Sequence, residues 1–142
     1  MAKSWFWRLM DHLAGKIPEG LRTQLQSESL ILWDEGIRVG LRFKNYKAPG
    51  QRFTGFKNIA GYGALTQKRL VSTGYSNCDF DLPLDRISKD NLEYGLRKPN
   101  CFYFAFEASE FYEDRSGRAE VRLFTPKAGE FVRRLDSLLA ER

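Results

Sequence analysis

The spacing of apolar side chains changes along the chain, and the changes mark out its elements. Trp5, Leu9 and Leu13 recur at helical intervals with Phe6 and Met10 beside them, while Arg8, Asp11 and Lys16 point elsewhere. Ser4 suits the N-cap of that helix. Pro18 suits the first position of a second helix, in which Leu21 and Leu25 share a face before Ser27 to Ser29 end it. After Ser29 the period falls to two. Ile37, Val39, Leu41 and Phe43 alternate with Arg38, Gly40, Arg42 and Lys44, which predicts a half-buried strand.

Turn signals divide the region that follows. Asp34-Glu35-Gly36 predicts a turn between a strand at Leu30–Trp33 and the strand beginning at Ile37. Ala48-Pro49-Gly50 carries type II turn chemistry and predicts a hairpin into Arg52–Ile59. Further strands are predicted at Tyr62–Thr66, Arg69–Thr73, Asp79–Leu82, Leu92–Arg97, Cys101–Ala108 and Glu120–Phe124. Thr125-Pro126 then opens a last helix, with Phe131, Leu135 and Leu138 in one stripe, widened by Val132 and Leu139. The pattern is mainly β (α+β): a barrel or sandwich of short antiparallel strands with a C-terminal helix and an N-terminal helical segment.

Local wording agrees with a known architecture. Gly63-Ala-Leu-Thr66-Gln-Lys-Arg69-Leu70-Val71 resembles the hairpin of GRAM and bacterial pleckstrin-homology-like domains, where a Thr begins the turn and an Arg-Leu pair the next strand. Leu82-Pro83-Leu84-Asp85-Arg86-Ile87 resembles a second segment of the same families. The resemblance covers roughly Gly36 to Leu139. It implies an antiparallel barrel of seven to eight strands capped by the C-terminal helix, a bacterial source, and a non-catalytic binding role. The domain division that follows is 1–27 for an N-terminal helical extension and 28–142 for the barrel with its helix. The Leu30–Trp33 strand and the N-terminal helices are additional to the minimal family pattern.

A chain of 142 residues is long enough for one full core. It holds no run of about 20 apolar residues and no secretion signal, so the expected setting is cytoplasmic, with any membrane contact peripheral, at the inner face. Cys78 and Cys101 are expected as free, buried thiols.

Charge is distributed unevenly. Residues 1–35 hold four basic and five acidic side chains, and residues 76–142 hold eleven against thirteen. Between Gly36 and Tyr75 there are eight basic residues and no acidic one. Arg38, Arg42, Lys44, Lys47, Arg52 and Lys57 are therefore the candidate headgroup- or ligand-binding set, with Lys44, Lys47 and Arg52 around the Pro49-Gly50 turn. The family's lipid-binding pattern ends in a closely spaced Lys/Arg-x-Arg, which this sequence lacks. The competing reading is a solvated outer face that keeps strand edges from pairing. Trp5, Phe6 and Trp7, flanked by Lys3 and Arg8, are the candidate membrane or partner contact, read against burial on the barrel or on a second subunit.

Catalysis finds little support, since the one histidine, His12, lies in the N-terminal segment. Neither Asp79, Asp81 and Asp85 nor Glu107, Glu110, Glu113 and Asp114 has calcium-loop spacing, no Gly-rich phosphate loop is present, and no cofactor is indicated. The expected partner is an acidic membrane surface or a protein, a second copy of the chain included. Nucleic acid, with Tyr46, Phe53 and Phe56 as stacking platforms, ranks third.

Overall fold

A computed structural model describes residues 15–74 and 79–141. Trp5, Phe6, Trp7, His12 and Cys78, and the first predicted helix, lie outside the described residues. The described chain forms helix α1 (Glu19–Ser27) and strands β1 (Leu30–Ala48), β2 (Gln51–Thr66), β3 (Arg69–Ser72), β4 (Phe80–Pro83), β5 (Leu92–Lys98), β6 (Cys101–Glu107) and β7 (Ser116–Phe124). It closes with helix α2 (Ala128–Ala140). The strands make one antiparallel sheet in the order β4-β3-β2-β1-β7-β6-β5, curled into a half-barrel.

Two predicted breaks are absent. Asp34-Glu35-Gly36 is no turn: β1 runs through it, and Gly36, at φ +67°, absorbs an extra residue where the register shifts between Glu35 and Ile37. A bulge of this kind needs the same left-handed backbone as a turn, so a Gly after two acids does not tell them apart. The predicted gap at Ala60-Gly61 is likewise continuous strand. A Cβ at Gly61 would lie 2.4 Å from Thr73 Oγ1 and 2.8 Å from Val39 Cγ2, so glycine serves close packing there. The Pro49-Gly50 hairpin forms as predicted, with Gly50 at φ +73° and Ala48 paired to Gln51.

The curl encloses an aromatic core. Phe102, Phe104 and Phe106 of β6 are buried side by side, and Phe80 meets Phe106 edge to face at 5.2 Å. Helix α2 lays Phe131, Leu135 and Leu138 into the concave side, the predicted stripe, with Phe131 stacked on Phe102 at 5.3 Å. Thr125 caps the approach to α2, its Oγ1 accepting from Lys127 N–H at 3.1 Å, although regular helix begins only at Ala128. The Tyr94 hydroxyl of β5 donates to Asp136 on α2, and burial with the Asp136 carboxylate pushes the phenol pKa up to about 12. The Thr66 turn is held from inside: buried Thr66 Oγ1 accepts from Lys68 and Arg69 N–H, each at 3.0 Å. Arg69 then bridges Glu28 and Asp81.

Helix α1 lies on the opposite, convex face. Leu25, fully buried, and Leu21 pack with Ile17 against Tyr62, Ala64 and Val71. Glu35 fastens the approach to α1 by accepting from Ile17 N–H at 2.8 Å and from the Arg22 guanidinium. Gly15, at φ +71°, comes so close to β2 that a Cβ would sit 2.3 Å from Gly61 N. Among the described residues, helix α1 thus covers one end of the convex face and no other element covers the rest. Among the described residues no helix is long and apolar enough to cross a membrane.

Truncating Phe131 removes both a stack and the buried face of α2. Phe131→Ala should lower unfolding free energy by about 3–5 kcal/mol, read by chemical denaturation, whereas Tyr94→Phe should cost only about 1 kcal/mol.

Candidate functional site

The exposed end of the convex face is built by register. Antiparallel pairing sets Arg38 beside Phe124, Gly40 beside Arg122, Arg42 beside Glu120 and Lys44 beside Arg118. The next strand adds Cys101 beside Phe124, Tyr103 beside Arg122 and Glu107 beside Arg118. On the other side, Phe56 and Asn58 of β2 oppose Arg42 and Gly40. Alternation sends these side chains outward while Val39, Leu41, Phe102, Phe104, Val121 and Leu123 face the core.

Of the predicted set, Arg38, Arg42, Lys44, Lys47 and Arg52 share this face. Lys57 does not: it pairs with buried Leu41 and so occupies the other face. Nor do the five form one cluster, because β1 is extended and Arg38 and Lys47 stand roughly 30 Å apart along it at about 3.3 Å per residue. Lys47 and Arg52 are cross-strand partners at the hairpin end. They line a cavity of about 650 Å³ with Asn45, Thr54, Glu107 and Gly117. There Glu107 accepts from Ser109 N–H at 2.7 Å and Gly117 N–H at 3.1 Å, and these bonds outweigh burial to hold its pKa below the ordinary value.

The other end holds residues that a count along the sequence misses. Arg97, Lys98 and Arg122 come from the nearly neutral second half of the chain, yet the sheet brings them next to Arg38. With Phe56, Asn58, Cys101 and Phe124 they line a shallow cup of about 300 Å³. Glu120, only 5% exposed, sits beside it and organises two of the cations. It accepts from Arg97 Nη2 and from Arg122 Nε, each at 2.7 Å. Burial alone would raise the Glu120 pKa, but these two guanidinium bonds dominate and lower it. Arg97 also stacks on Tyr103 at 3.9 Å, and Arg38 on Phe124 at 3.8 Å. A guanidinium stacked flat on a ring keeps its in-plane N–H donors for a ligand.

The strand positions of this face carry nine basic side chains (Arg38, Arg42, Lys44, Lys47, Arg52, Arg97, Lys98, Arg118 and Arg122) and three acidic ones (Glu93, Glu107 and Glu120). That excess of six positive charges matches the net +5 of the whole chain, so the protein's positive charge is concentrated here. Arg38, Arg42, Lys44, Lys47, Arg52 and Lys98 form no ion pair within 4 Å with any described acidic side chain. Phe56, 45% exposed, stands among them, 5.9 Å from the Arg42 guanidinium. Burial of the other proposed stacking rings differs: Tyr46 is 2% exposed, and Phe53 packs on Phe43 at 5.5 Å.

Among the described residues no group of three or more His, Cys, Asp and Glu is placed to hold a metal ion. Asp81 accepts from Arg69, and Cys101 is a free buried thiol whose pKa burial raises. No family model, no curated protein and no solved structure matches the chain.

Because the folded-state pKa of Glu120 is depressed, its contribution to stability is complete above the unfolded carboxylate value of about 4.3 and disappears as pH falls through the lower folded value. Glu120→Gln should therefore be less stable than the parent at pH 7, and the gap in thermal midpoint should close as pH drops below 4.

Proposed function

We propose that this chain is a non-catalytic binding module of the pleckstrin-homology-like kind that engages an acidic membrane surface through the exposed end of its convex sheet face, at the cytoplasmic side of the membrane. The observation that carries the reading is the concentration of the chain's positive charge on one sheet face, with six cations there that no described acid pairs. Unpaired cations spread over about 30 Å suit a broad, diffuse anionic surface better than a single point charge. Exposed Phe56 adds an apolar contact at headgroup depth. A half-barrel of seven antiparallel strands followed by a helix set into its concave side supports the family likeness. Single-stranded nucleic acid ranks behind, because only Phe56 of the three candidate stacking rings is well exposed.

A specific observation keeps self-association as the second reading. The Gln51–Asn58 half of β2 pairs with β1, while β3 reaches only Gly63–Leu65. That half of β2 therefore has an open edge among the described residues, which a second chain's strand would extend.

Sedimentation with anionic and neutral vesicles at low and high salt decides between them. Binding to anionic vesicles only, weakening as salt rises, supports the membrane reading. Each basic residue near such a surface is worth about 1 kcal/mol, so replacing Lys44, Lys47 and Arg52 by Glu should weaken binding by at least about a hundredfold. Absence of vesicle binding, together with a concentration-dependent rise in mass, would replace it with self-association.

A further inference from the structure

The cup differs from the rest of the basic face in being organised. Its cations are not simply nearby: buried Glu120 fixes Arg97 and Arg122 from beneath, and Phe124 supports Arg38 as a flat platform. Lys98, exposed and without a described acidic partner, completes the set. Four cations against buried Glu120 and Glu93, whose carboxylate lies 3.9 Å from Arg97, leave two positive charges around a space of about 300 Å³.

The absence of a side chain beneath one wall of the cup is equally specific. Gly40 stands between Asn58 and Arg122 in the sheet, at an ordinary strand conformation that does not require glycine. A Cβ there would come within 3.3 Å of Phe56 Cζ and 3.4 Å of Asn58 Oδ1. Glycine in a strand interior costs stability and often marks a close approach by another group. Here it makes way for the Phe56 ring and the Asn58 side chain, which pack over Gly40 and form one wall of the cup.

We propose that this cup is a discrete site for a phosphomonoester dianion. Two charges on one tetrahedral group match the excess of cations better than a carboxylate or a phosphodiester does, and guanidinium forks suit its oxygens. Arg38 and Arg122 reach it from adjacent strands, Arg97 and Lys98 close the far side, and Asn58 offers an amide donor. The group is carried either by a lipid headgroup or by a small soluble molecule. The lipid case rests on the membrane reading above, whereas the soluble case stands without it.

The test compares the full chain, Gly40→Val, and the pair Arg38→Gln with Lys98→Gln, each checked for an unchanged fold by circular dichroism and thermal melting. Gly40→Val pushes aside the Phe56 ring and Asn58 side chain that wall the cup without altering charge, and the double variant keeps that wall but removes two donors that hold no ion pair with a described acid. One arm uses vesicles of phosphatidic acid or phosphatidylglycerol at matched surface charge. The other titrates soluble glycerol 3-phosphate against sulfate, followed by amide shifts at Gly40, Asn58 and Arg122.

About tenfold tighter binding to phosphatidic acid, lost in both variants while Gly40→Val keeps its phosphatidylglycerol binding, supports the lipid source. Saturable glycerol 3-phosphate shifts at those residues, without a vesicle preference, support the soluble source. Equal binding to both lipids with no soluble binding overturns the cup and leaves the membrane reading standing. A phosphomonoester preference untouched by either variant overturns its location. Soluble binding without binding to any vesicle sinks the membrane reading and leaves the cup.

Discussion

The pairing of β1 on both of its edges is the constraint from which the rest of the structure follows. β1 binds β2 from Leu30 to Ala48, and from Arg38 to Lys47 it also binds β7. It thereby fuses two meanders, β1-β2-β3-β4 and β5-β6-β7, that would otherwise be separate small sheets with too little core to stand alone. The bulges at Gly36 and at Lys44–Asn45 let so long a strand follow the curl, and the curl makes room for α2 on the inside. Because side chains alternate, this one strand contributes Val39, Leu41 and Phe43 to the core and Arg38, Arg42 and Lys44 to the exposed face.

The chemistry of that face is a consequence of strand order. Arg118 and Arg122 stand far along the chain from β1, yet Arg118 lies beside Lys44 and Arg122 beside Gly40. Glu120 between them is nearly sealed from water, and two guanidinium groups offset its desolvation, so it sets the direction of Arg97 and Arg122 without neutralising the region. The hairpin end is looser: Lys47 and Arg52 face each other with no described carboxylate holding them. One face thus offers a diffuse cationic strip and, at the far end from the hairpin, a more rigid cup.

Much of this was legible from local pattern. Alternation at Ile37–Phe43, the Pro49-Gly50 turn, the Thr66 turn and the stripe of Phe131, Leu135 and Leu138 are each decided by nearby residues, and each stands where the sequence puts it. What was not legible depends on partners far away in the chain. Gly36 and Gly61 look like breaks, but one absorbs a bulge and the other makes way for Thr73 and Val39. Lys57 belongs to the same basic run as Arg52, and only the β1–β2 register shows that it occupies the opposite face. Arg97, Lys98 and Arg122 disappear in a charge count that averages them with the acids of the second half. The Arg118-x-Glu120-x-Arg122 spacing was the available signal, since a strand there must present all three on one side.

Binding through the basic face, as proposed above, should leave a footprint on the backbone beneath it. Amide hydrogen exchange of the full chain with and without anionic vesicles tests it residue by residue. Protection is expected along β1 from Arg38 to Lys47, around Phe56 and in β7, with α1 and α2 unchanged. Protection centred on α1 or α2, or confined to the open edge of β2, would contradict it.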